Sequence, residues 1–456
     1  MSFQRYHEYK DSGVEWLGEV PGHWEAVPLK HVIRKIESGT SVNSTDVPAG
    51  EGELGVLKTS CVYSGAFEAG ENKAVVPEEY DRVACPVTAG TLVVSRMNTP
   101  DLVGAAGLVQ NSNDALFLPD RLWQVAFDDA DPAYVHYWTL TGGYRAQVQT
   151  ACAGTSSSMQ NLAQDQFRSF VFPKPTSDEQ SVIAAFLDHE TAKLDNLMAE
   201  QEKLIALLKE KRQAVIAHAV TKGLDPTVPM KDSGVEWLGE VPAHWRVMPI
   251  RLAAKLESGH TPSRSRPEYW DDCYIPWMTL ADVWQIRRGK ADYIYETKET
   301  VSDLGLANSS ARLLPKGTVV LSRTASVGFS AIMGVDMATT QDFANWVCGD
   351  KLVPEFLLFV FRSMEGEFRR LMMGSTHNTI YMPDIQAFRF VLPSLEEQKQ
   401  IIKHCQRFSA EFDELIDEAQ RGIDLLKERR SALISAAVTG QIDVRGLIKD
   451  EQEQAA

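Results

Sequence analysis

The stretch "KDSGVEWLGEVPGHW" begins at Lys10 and returns as "KDSGVEWLGEVPAHW" at Lys231, fifteen residues with a single change, Gly22 to Ala243. The match runs on well past these words. "VPLKHVIRKIESG" up to Gly39 answers "MPIRLAAKLESG" up to Gly259, and "AGTLVVSRM" (Ala89–Met97) answers "KGTVVLSRT" (Lys316–Thr324). "GTSSSMQNLAQDQFRSFVFP" (Gly154–Pro173) lies over "GSTHNTIYMPDIQAFRFVLP" (Gly374–Pro393), and "PTSDEQ" from Pro175 over "PSLEEQ" from Pro393. Each copy closes alike, "LLKEKRQAVIAHAVTKGLD" against "LLKERRSALISAAVTGQID", at an offset of 218. The chain is therefore one unit of about 220 residues written twice, a period far too long for a solenoid. Such a duplication imposes pseudo-two-fold symmetry on whatever it folds into. The ends of the unit match closely, while Gly39–Ala89 and Gly259–Lys316 share little. A fixed frame around a divergent interior points to one architecture carrying two specificities.

Within each unit the first part carries short β-like runs ("TLVVSR", "LWQVAF", "FVFP"; "TVVLSR", "FRFVLP") between Gly, Pro and Asn turns. Helical stretches such as "AYVHYWTLTGGYRAQVQ" and "EFLLFVFRSMEGEFRRLM" intervene. The last part differs. Ser177–Thr221 holds no Pro or Gly, and "SDEQ" places acids in a first helical turn. Leu194, Leu197, Leu204, Leu208 and Val215 recur at steps of three, four or seven, which predicts a coiled-coil seam. Phe412, Leu415, Leu426 and Leu433 are the counterparts, with Ile423 beside Gly422. A helix of this length reaches about 65 Å and cannot bury such a stripe alone, so the second copy is its natural partner, antiparallel by the pseudo-symmetry. The predicted fold is α+β: a tandem duplication of a mixed, β-rich globular domain followed by a long helix, the two long helices forming an antiparallel coiled coil. The predicted segments are 1–24 (conserved entry), 25–175 (first head), 176–222 (first long helix), 223–245 (linker and repeated entry), 246–393 (second head), 394–440 (second long helix) and 441–456 (tail). Two similar heads related by two-fold symmetry on a rigid spacer suit duplex DNA, where half-site spacing mirrors protein geometry.

Composition narrows the function classes. The longest apolar runs, such as "FLLFVF" from Phe356, fall far short of a membrane span, and the N-terminus lacks the apolar core of a signal peptide. Six scattered cysteines form no C-x-x-C pair and none has a His at ligand spacing, which argues against zinc and disulfides and for a reducing cytoplasm. The net charge of -16 argues against a nucleic-acid binder. Yet Arg246–Pro393 is close to balanced and holds the clusters Arg264/Arg266, Arg287/Arg288 and Arg369/Arg370, while acids concentrate elsewhere, on the long helices among other places.

The doubled layout resembles the specificity subunit of type I restriction–modification systems. "PSLEEQKQII" and "PTSDEQSVIAAFLD" resemble the starts of that family's conserved helices, "AAVTGQID" and "HAVTKGLD" their ends, and "HWEAVPL", "HWRVMPI" and "ESGHTPSR" the entries to its target-recognition domains. The resemblance covers essentially the whole chain, in order and twice. It implies two target-recognition domains, each reading half of a split, asymmetric site in double-stranded DNA, with the helices setting the spacer and docking two methyltransferase (modification) subunits. Those partners would bring S-adenosylmethionine and adenine-N6 chemistry, and a restriction subunit would add ATP- and Mg-dependent translocation and cleavage.

The chain itself carries no catalytic signature. "NTPD" at Asn98 lacks the second Pro and the aromatic of an adenine-methyltransferase loop. "GEGELG" (Gly50–Gly55) matches G-x-G-x-x-G but follows no clear strand and opens no helix. No phosphate-binding loop, zinc-protease or serine-hydrolase motif occurs. The expectation is a non-enzymatic reader without a cofactor or metal of its own. Its candidate DNA contacts are polar residues beside strands. Thr40, Ser41, Asn43 and Ser44 after Gly39, and Thr261, Ser263, Arg264 and Arg266 after Gly259, leave the repeated frame at matching points, where Gly permits close backbone approach. Gln160, Asn161, His377 and Asn378 are expected to read bases, and Ser156, Ser157, Ser158 and Thr376 to hold phosphates, with Tyr381 beside them. Arg96 and Arg323 end equivalent strands and suit a phosphate contact or an ion pair; Asn98, Thr324 and Ser326 follow on the same edge, and Lys58 and Thr279 pair loosely. Trp16, Trp24, Trp237 and Trp245 read as core or docking anchors. The rival readings are an interaction scaffold with two protein-binding heads on a coiled-coil strut, favoured by the acidity, and a stand-alone nuclease or methyltransferase, disfavoured by the missing motifs.

Overall fold

The repeated stretch forms the same hairpin twice. In the computed structural model, which describes residues 3–152, 158–287, 291–372 and 378–447, Tyr9–Asp11 pairs antiparallel with Glu19–Pro21, and Met230–Asp232 with Glu240–Pro242. The turn is built on the repeated Asp: Asp11 Oδ1 accepts the Gly13 N–H at 2.9 Å, and Asp232 Oδ1 that of Gly234 at 2.9 Å. The closing tryptophans, Trp24 and Trp245, are fully buried, and Trp16 and Trp237 pack half-buried against the same cores. These are core anchors, as their place in the repeat suggests.

The chain forms two compact units, Met1–Glu200 with Gly422–Ala456, and Gln201–Arg421. Each holds one head, one hairpin and half of each long helix, Ser177–Lys222 and Leu395–Val438. In the first unit the helices run antiparallel. The Tyr134 hydroxyl lies 3.0 Å from both the Pro173 carbonyl, just ahead of the first helix, and the Val438 carbonyl at the end of the second. Further along, Arg430 Nε donates to Asp195 Oδ1 at 2.9 Å. In the second unit Arg212 Nη1 donates to Asp413 Oδ1 at 2.6 Å. Arg212 and Arg430 are duplicates of one another, and so are Asp195 and Asp413. One ion pair is thus written twice with donor and acceptor exchanged between helices, which is what an antiparallel two-fold requires.

The seam follows alternating steps of three and four but in a different register from that of the leucines. Leu194, Phe412 and Leu433 are buried, and Leu208, Val215 and Leu426 half-buried. Leu197, Leu204 and Leu415 point outward, 51%, 43% and 47% exposed. Their places are taken by Met198, Ile205, Ile416 and Ile423, with Arg212 and Arg430 at the same register. The miss has a physical cause. These helices carry leucine on two stripes, and the outer stripe, with Leu207 and Leu425, is as regular as the inner one.

Each long helix is fastened to a head at its start by a buried glutamine. Gln180 Oε1 accepts the Asp131 N–H at 2.8 Å and its Nε2 donates to the Pro175 carbonyl at 3.0 Å. Gln398 accepts from the Val353 N–H at 2.9 Å and donates to the Pro393 and Lys351 carbonyls. One residue earlier, Glu179 meets His23 Nε2 at 2.8 Å and the Tyr6 hydroxyl at 2.8 Å, while Glu397 meets His244 Nε2 at 2.7 Å and the Trp245 indole at 2.9 Å. The hairpin also covers a helix end. Gly223 and Gly440 take positive φ of 79° and 73°, the left-handed turn that closes a helix, and a Cβ there would press on Trp245 and Trp24 respectively.

The heads are mixed sheets over helices. In the first, a four-stranded antiparallel sheet runs Ala106–Leu108, Leu92–Ser95, Leu122–Phe127, Ile33–Ser38. A second sheet orders Asn72–Ala74, Gly55–Leu57, Asn113–Phe117, Pro86–Val87. The second head repeats the plan with Ala254–Ser258, Phe343–Cys348, Val319–Ser322, Ser330–Met333 and Tyr293–Ile294 in one sheet, and Glu299–Val301, Ile275–Met278 and Ala338–Thr339 in the other. Leu92–Ser95 and Val319–Ser322 are buried throughout, so they read as apolar runs without alternation. Pro354–Ser363 buries six consecutive residues, Phe356–Phe361, and is enclosed on all sides.

Gly39 and Gly259, where the copies diverge, have a structural reason to be glycine. A Cβ at Gly39 would lie 1.5 Å from the Leu118 carbonyl oxygen, and one at Gly259 2.2 Å from that of Thr339. The close approach is to the protein's own backbone. Gly39→Ala and Gly259→Ala are each expected to cost about 1–3 kcal/mol by overpacking, read as a lower denaturant midpoint; an unchanged midpoint contradicts this packing. A second expectation concerns pH. Burial alone would raise the Glu397 carboxyl, but hydrogen bonds from Trp245, His244 and Ser394 hold it down at about 2. A folded pKa below the unfolded value contributes stability that is present above the unfolded value, about 4.5, and is lost as pH falls through about 2. Melting temperature recorded between those limits falls more steeply for the native chain than for Glu397→Gln; parallel curves rule the carboxylate out.

Candidate nucleic-acid interface

In both heads the central strand ends in Ser-Arg and the chain then turns out along an edge. Arg96 donates its N–H to the Arg121 carbonyl at 3.0 Å and its carbonyl accepts the Leu162 N–H at 2.8 Å. Arg323 does the same with Asp342 at 2.9 Å and Ile380 at 2.9 Å. Beyond the arginine each edge gains a second strand. Met97–Asn98 pairs with Gln160–Asn161, and Thr324 bridges Thr379 while the Ala325 N–H reaches the Asn378 carbonyl at 2.9 Å. The fold therefore brings Arg96, Asn98, Gln160 and Asn161 together in one head, and Arg323, Thr324, Ser326, Asn378 and Tyr381 in the other. Asn161, Asn378 and Tyr381 are exposed, and Gln160, Thr324 and Ser326 half-exposed. Ser158 is exposed just ahead of the first pair. Ser156, Ser157, Thr376 and His377 lie outside the described residues.

The arginines at the head of these edges have internal duties. Arg323 Nε donates to the Gln341 carbonyl at 3.0 Å and Nη1 to the Ile380 carbonyl at 3.2 Å. It clamps two backbone segments. Arg96 lies with its guanidinium carbon 5.9 Å from the Trp123 ring, and its Nε is buried without a hydrogen-bond partner among the described residues. Asn98 is only 6% exposed. Its amide donates to the Tyr63 hydroxyl at 2.8 Å and to Ser95 Oγ at 3.2 Å, and accepts the Thr99 N–H at 2.9 Å. It ties the edge together and faces inward, contrary to the expected surface donor. Thr279 caps the short helix Leu280–Gln285. Its Oγ1 accepts the Ala281 N–H and donates to the fully buried Asp282 at 3.0 Å. That is a folding role.

The two loops after Gly39 and Gly259 differ in character. The first is stapled down. Asn43 donates its backbone and side-chain N–H groups to Glu79 at 2.7 and 2.6 Å, Thr40 Oγ1 donates to the Arg82 carbonyl at 2.5 Å, and Ser44 bridges Val75. Ser41 is exposed and accepts from Arg82 through its carbonyl. Asn43, with both donors on Glu79, is a staple. The second loop presents cations. Arg264 stacks 4.7 Å from the Trp270 ring centre and donates to Glu299 at 2.8 Å with its side chain 63% exposed. Arg266 pairs weakly with Glu268 at 3.5 Å, and Ser263 Oγ lies 2.8 Å from Ser265 Oγ. Thr261 Oγ1 donates to Gln341 Oε1 at 2.9 Å, and Gln341 in turn holds Arg323, so this loop is physically joined to the second edge. Lys58 lies half-buried with its ammonium 3.8 Å from Glu71. Gln341 was not evident in the sequence, since it carries no charge and follows no repeat word.

This doubled frame has counterparts. The family model for the type I restriction modification DNA specificity domain matches residues 242–423, from the second hairpin through the second head into the second long helix. The "Putative type I restriction enzyme MjaX specificity subunit" of Methanocaldococcus jannaschii is 21% identical over 436 residues, 94% of this chain and 96% of the relative. Along essentially its whole length the chain is similar to type I restriction–modification specificity subunits. The MjaIX specificity subunit of the same organism is 28% identical over 195 residues, 42% of this chain and 43% of that relative. A solved chain from work on complex assembly and conformational transition of the type I R–M system superposes with a TM-score of 0.68 at 16% identity, over 92% of this chain and 98% of the other, which establishes a common fold.

The distinction between edge residues that hold and edge residues that face out is testable. Asn98→Ala removes buried hydrogen bonds and is expected to cost about 1–3 kcal/mol of stability. Gln160→Ala and Asn161→Ala at the half-exposed and exposed neighbours are expected to leave the melting temperature within a degree or so while weakening duplex binding. The opposite pattern, a stable Asn98 variant and unstable neighbours, overturns the assignment.

Proposed function

We propose that this chain is a type I restriction–modification specificity subunit and that it reads a bipartite, asymmetric site in double-stranded DNA, one half with each head. The observation that carries the reading is the pair of edges. Their backbone hydrogen bonds are the same in both copies, at Arg96 with Leu162 and at Arg323 with Ile380, while the side chains they present differ. A reader needs this combination, since positioning is common to all sites and base contacts distinguish them. The long helices fix the number of unread base pairs between the halves. Their outward leucines, Leu197, Leu204 and Leu207 on one helix and Leu415 and Leu425 on the other, offer apolar surface for two methyltransferase subunits. Those subunits, with a restriction subunit where one is encoded, supply S-adenosylmethionine, ATP and Mg; this chain supplies recognition. Among the described residues no helix is long and apolar enough to cross a membrane.

The acidity of the chain bears on affinity. At a net charge of -16 long-range repulsion opposes the duplex, and binding by phosphate contacts falls steeply with salt. Tight binding therefore draws on partner subunits. Deleting the gene for this chain from its host is expected to abolish N6-methyladenine at one split motif in the methylome. Exchanging residues 39–166 for the matching segment of another family member changes one half of that motif; a change in both halves overturns the two-reader model. Removing one heptad from each long helix changes the spacer alone.

A further inference from the structure

Nine of the ten tryptophans are buried or half-buried, and Trp284 alone is exposed, at 69%. An indole left in water offers a large flat face and an N–H donor to another molecule. Trp284 stands on the short helix Leu280–Gln285, one turn before Arg287. The guanidinium of Arg287 donates to Ser326 Oγ at 2.9 Å, and Ser326 belongs to the second edge, beside Ala325 and Asn378. The ring is therefore anchored next to the surface assigned to reading.

The first head carries an aromatic ring at the equivalent point. Gly55–Leu57 pairs in parallel with Asn113–Phe117, and Ile275–Met278 with Ala338–Thr339, each strand running straight into a short helix. The parallel pairings Val56 with Phe117 and Trp277 with Ala338 set the two copies in register. Counting on from there, buried Val62 falls on buried Val283 and Tyr63 on Trp284. Tyr63 is 38% exposed, and its hydroxyl lies 2.8 Å from the amide of Asn98, on the first edge. Sequence comparison alone misses the pair, because the interiors of the two copies share no words here.

We propose that Tyr63 and Trp284 are the stacking residues of the two heads, each laying its ring on, or wedging it beside, a base of its own half-site. The inference rests on the reading of the heads as DNA readers. Phosphate contacts and hydrogen bonds would set position and sequence, and the rings would add sequence-tolerant affinity and favour an easily unstacked step. Because Trp284 is exposed, its removal is expected to test binding with little effect on folding. Tyr63 has a hydroxyl that the edge uses, so the ring is tested there by comparing Tyr63→Phe with Tyr63→Ala.

The experiment uses the full chain with its modification subunits and a duplex oligonucleotide carrying the motif found by methylome sequencing. Binding is measured by fluorescence anisotropy, and acrylamide quenching follows the accessible tryptophan. Trp284→Ala is expected to weaken binding about tenfold, Trp284→Phe to stay within about threefold, and Tyr63→Ala to weaken binding where Tyr63→Phe does not. The quenchable share of the tryptophan signal falls in Trp284→Ala and is protected by DNA in the native chain. If the native complex binds its motif and Trp284→Ala binds equally well, the stacking role is overturned and the reading of the heads stands. If the native complex shows no preference for any motif, the reading itself fails.

Discussion

The structure rests on each long helix being completed by its duplicate. A single helix of this length cannot bury its own apolar seam. Pairing first-helix residues with second-helix residues in opposite directions solves this, and the doubled Arg–Asp pair fixes the direction. Asp195 finds Arg430 and Asp413 finds Arg212. A parallel arrangement would separate these charges within the seam, where they are partly shielded from water and costly to leave unpaired. Everything else hangs from the helix ends. A buried glutamine ties each start to a head, a glutamate beside it receives the hairpin histidine, and a glycine at each finish lies under a hairpin tryptophan.

The duplication was legible because it repeats words, and it carried most of the architecture with it: two heads, two long helices, an antiparallel pairing and the anchoring role of Trp24 and Trp245. The seam register was less legible. Leucine occupies both the buried and the outer stripe, so Leu197, Leu204 and Leu415 fit a seven-residue rhythm as well as Met198, Ile205 and Ile416 do. Periodicity identifies a face; it does not say which of two apolar faces meets the partner.

The candidate site was legible as regions and less so as residues. Gln160, Asn161, Asn378 and Tyr381 lie where the copies match in position and differ in content, and the fold sets them on equivalent edges. Asn98, Asn43, Thr279 and Arg323 are polar residues on the right segments with hydrogen bonds inside the protein: Asn98 to Tyr63 and Ser95, Asn43 to Glu79, Thr279 to Asp282, Arg323 to two carbonyls. Composition cannot separate a donor that faces solvent from one that faces a buried carboxylate twenty or more residues away. Gly39 and Gly259 show the same limit, since a glycine that suggests room for a ligand makes room for a carbonyl of the chain.

The bonds that build the two edges run from main chain to main chain, Leu162 to Arg96 and Ile380 to Arg323. Every residue except proline carries these groups, so this pairing does not depend on the letters displayed at Gln160 and Asn378. The side chains beside Gln160 and Asn378 are thereby released from the task of folding. Such a molecule can change its vocabulary by point substitution while its grammar stays constant, and each of its two words can drift without consulting the other.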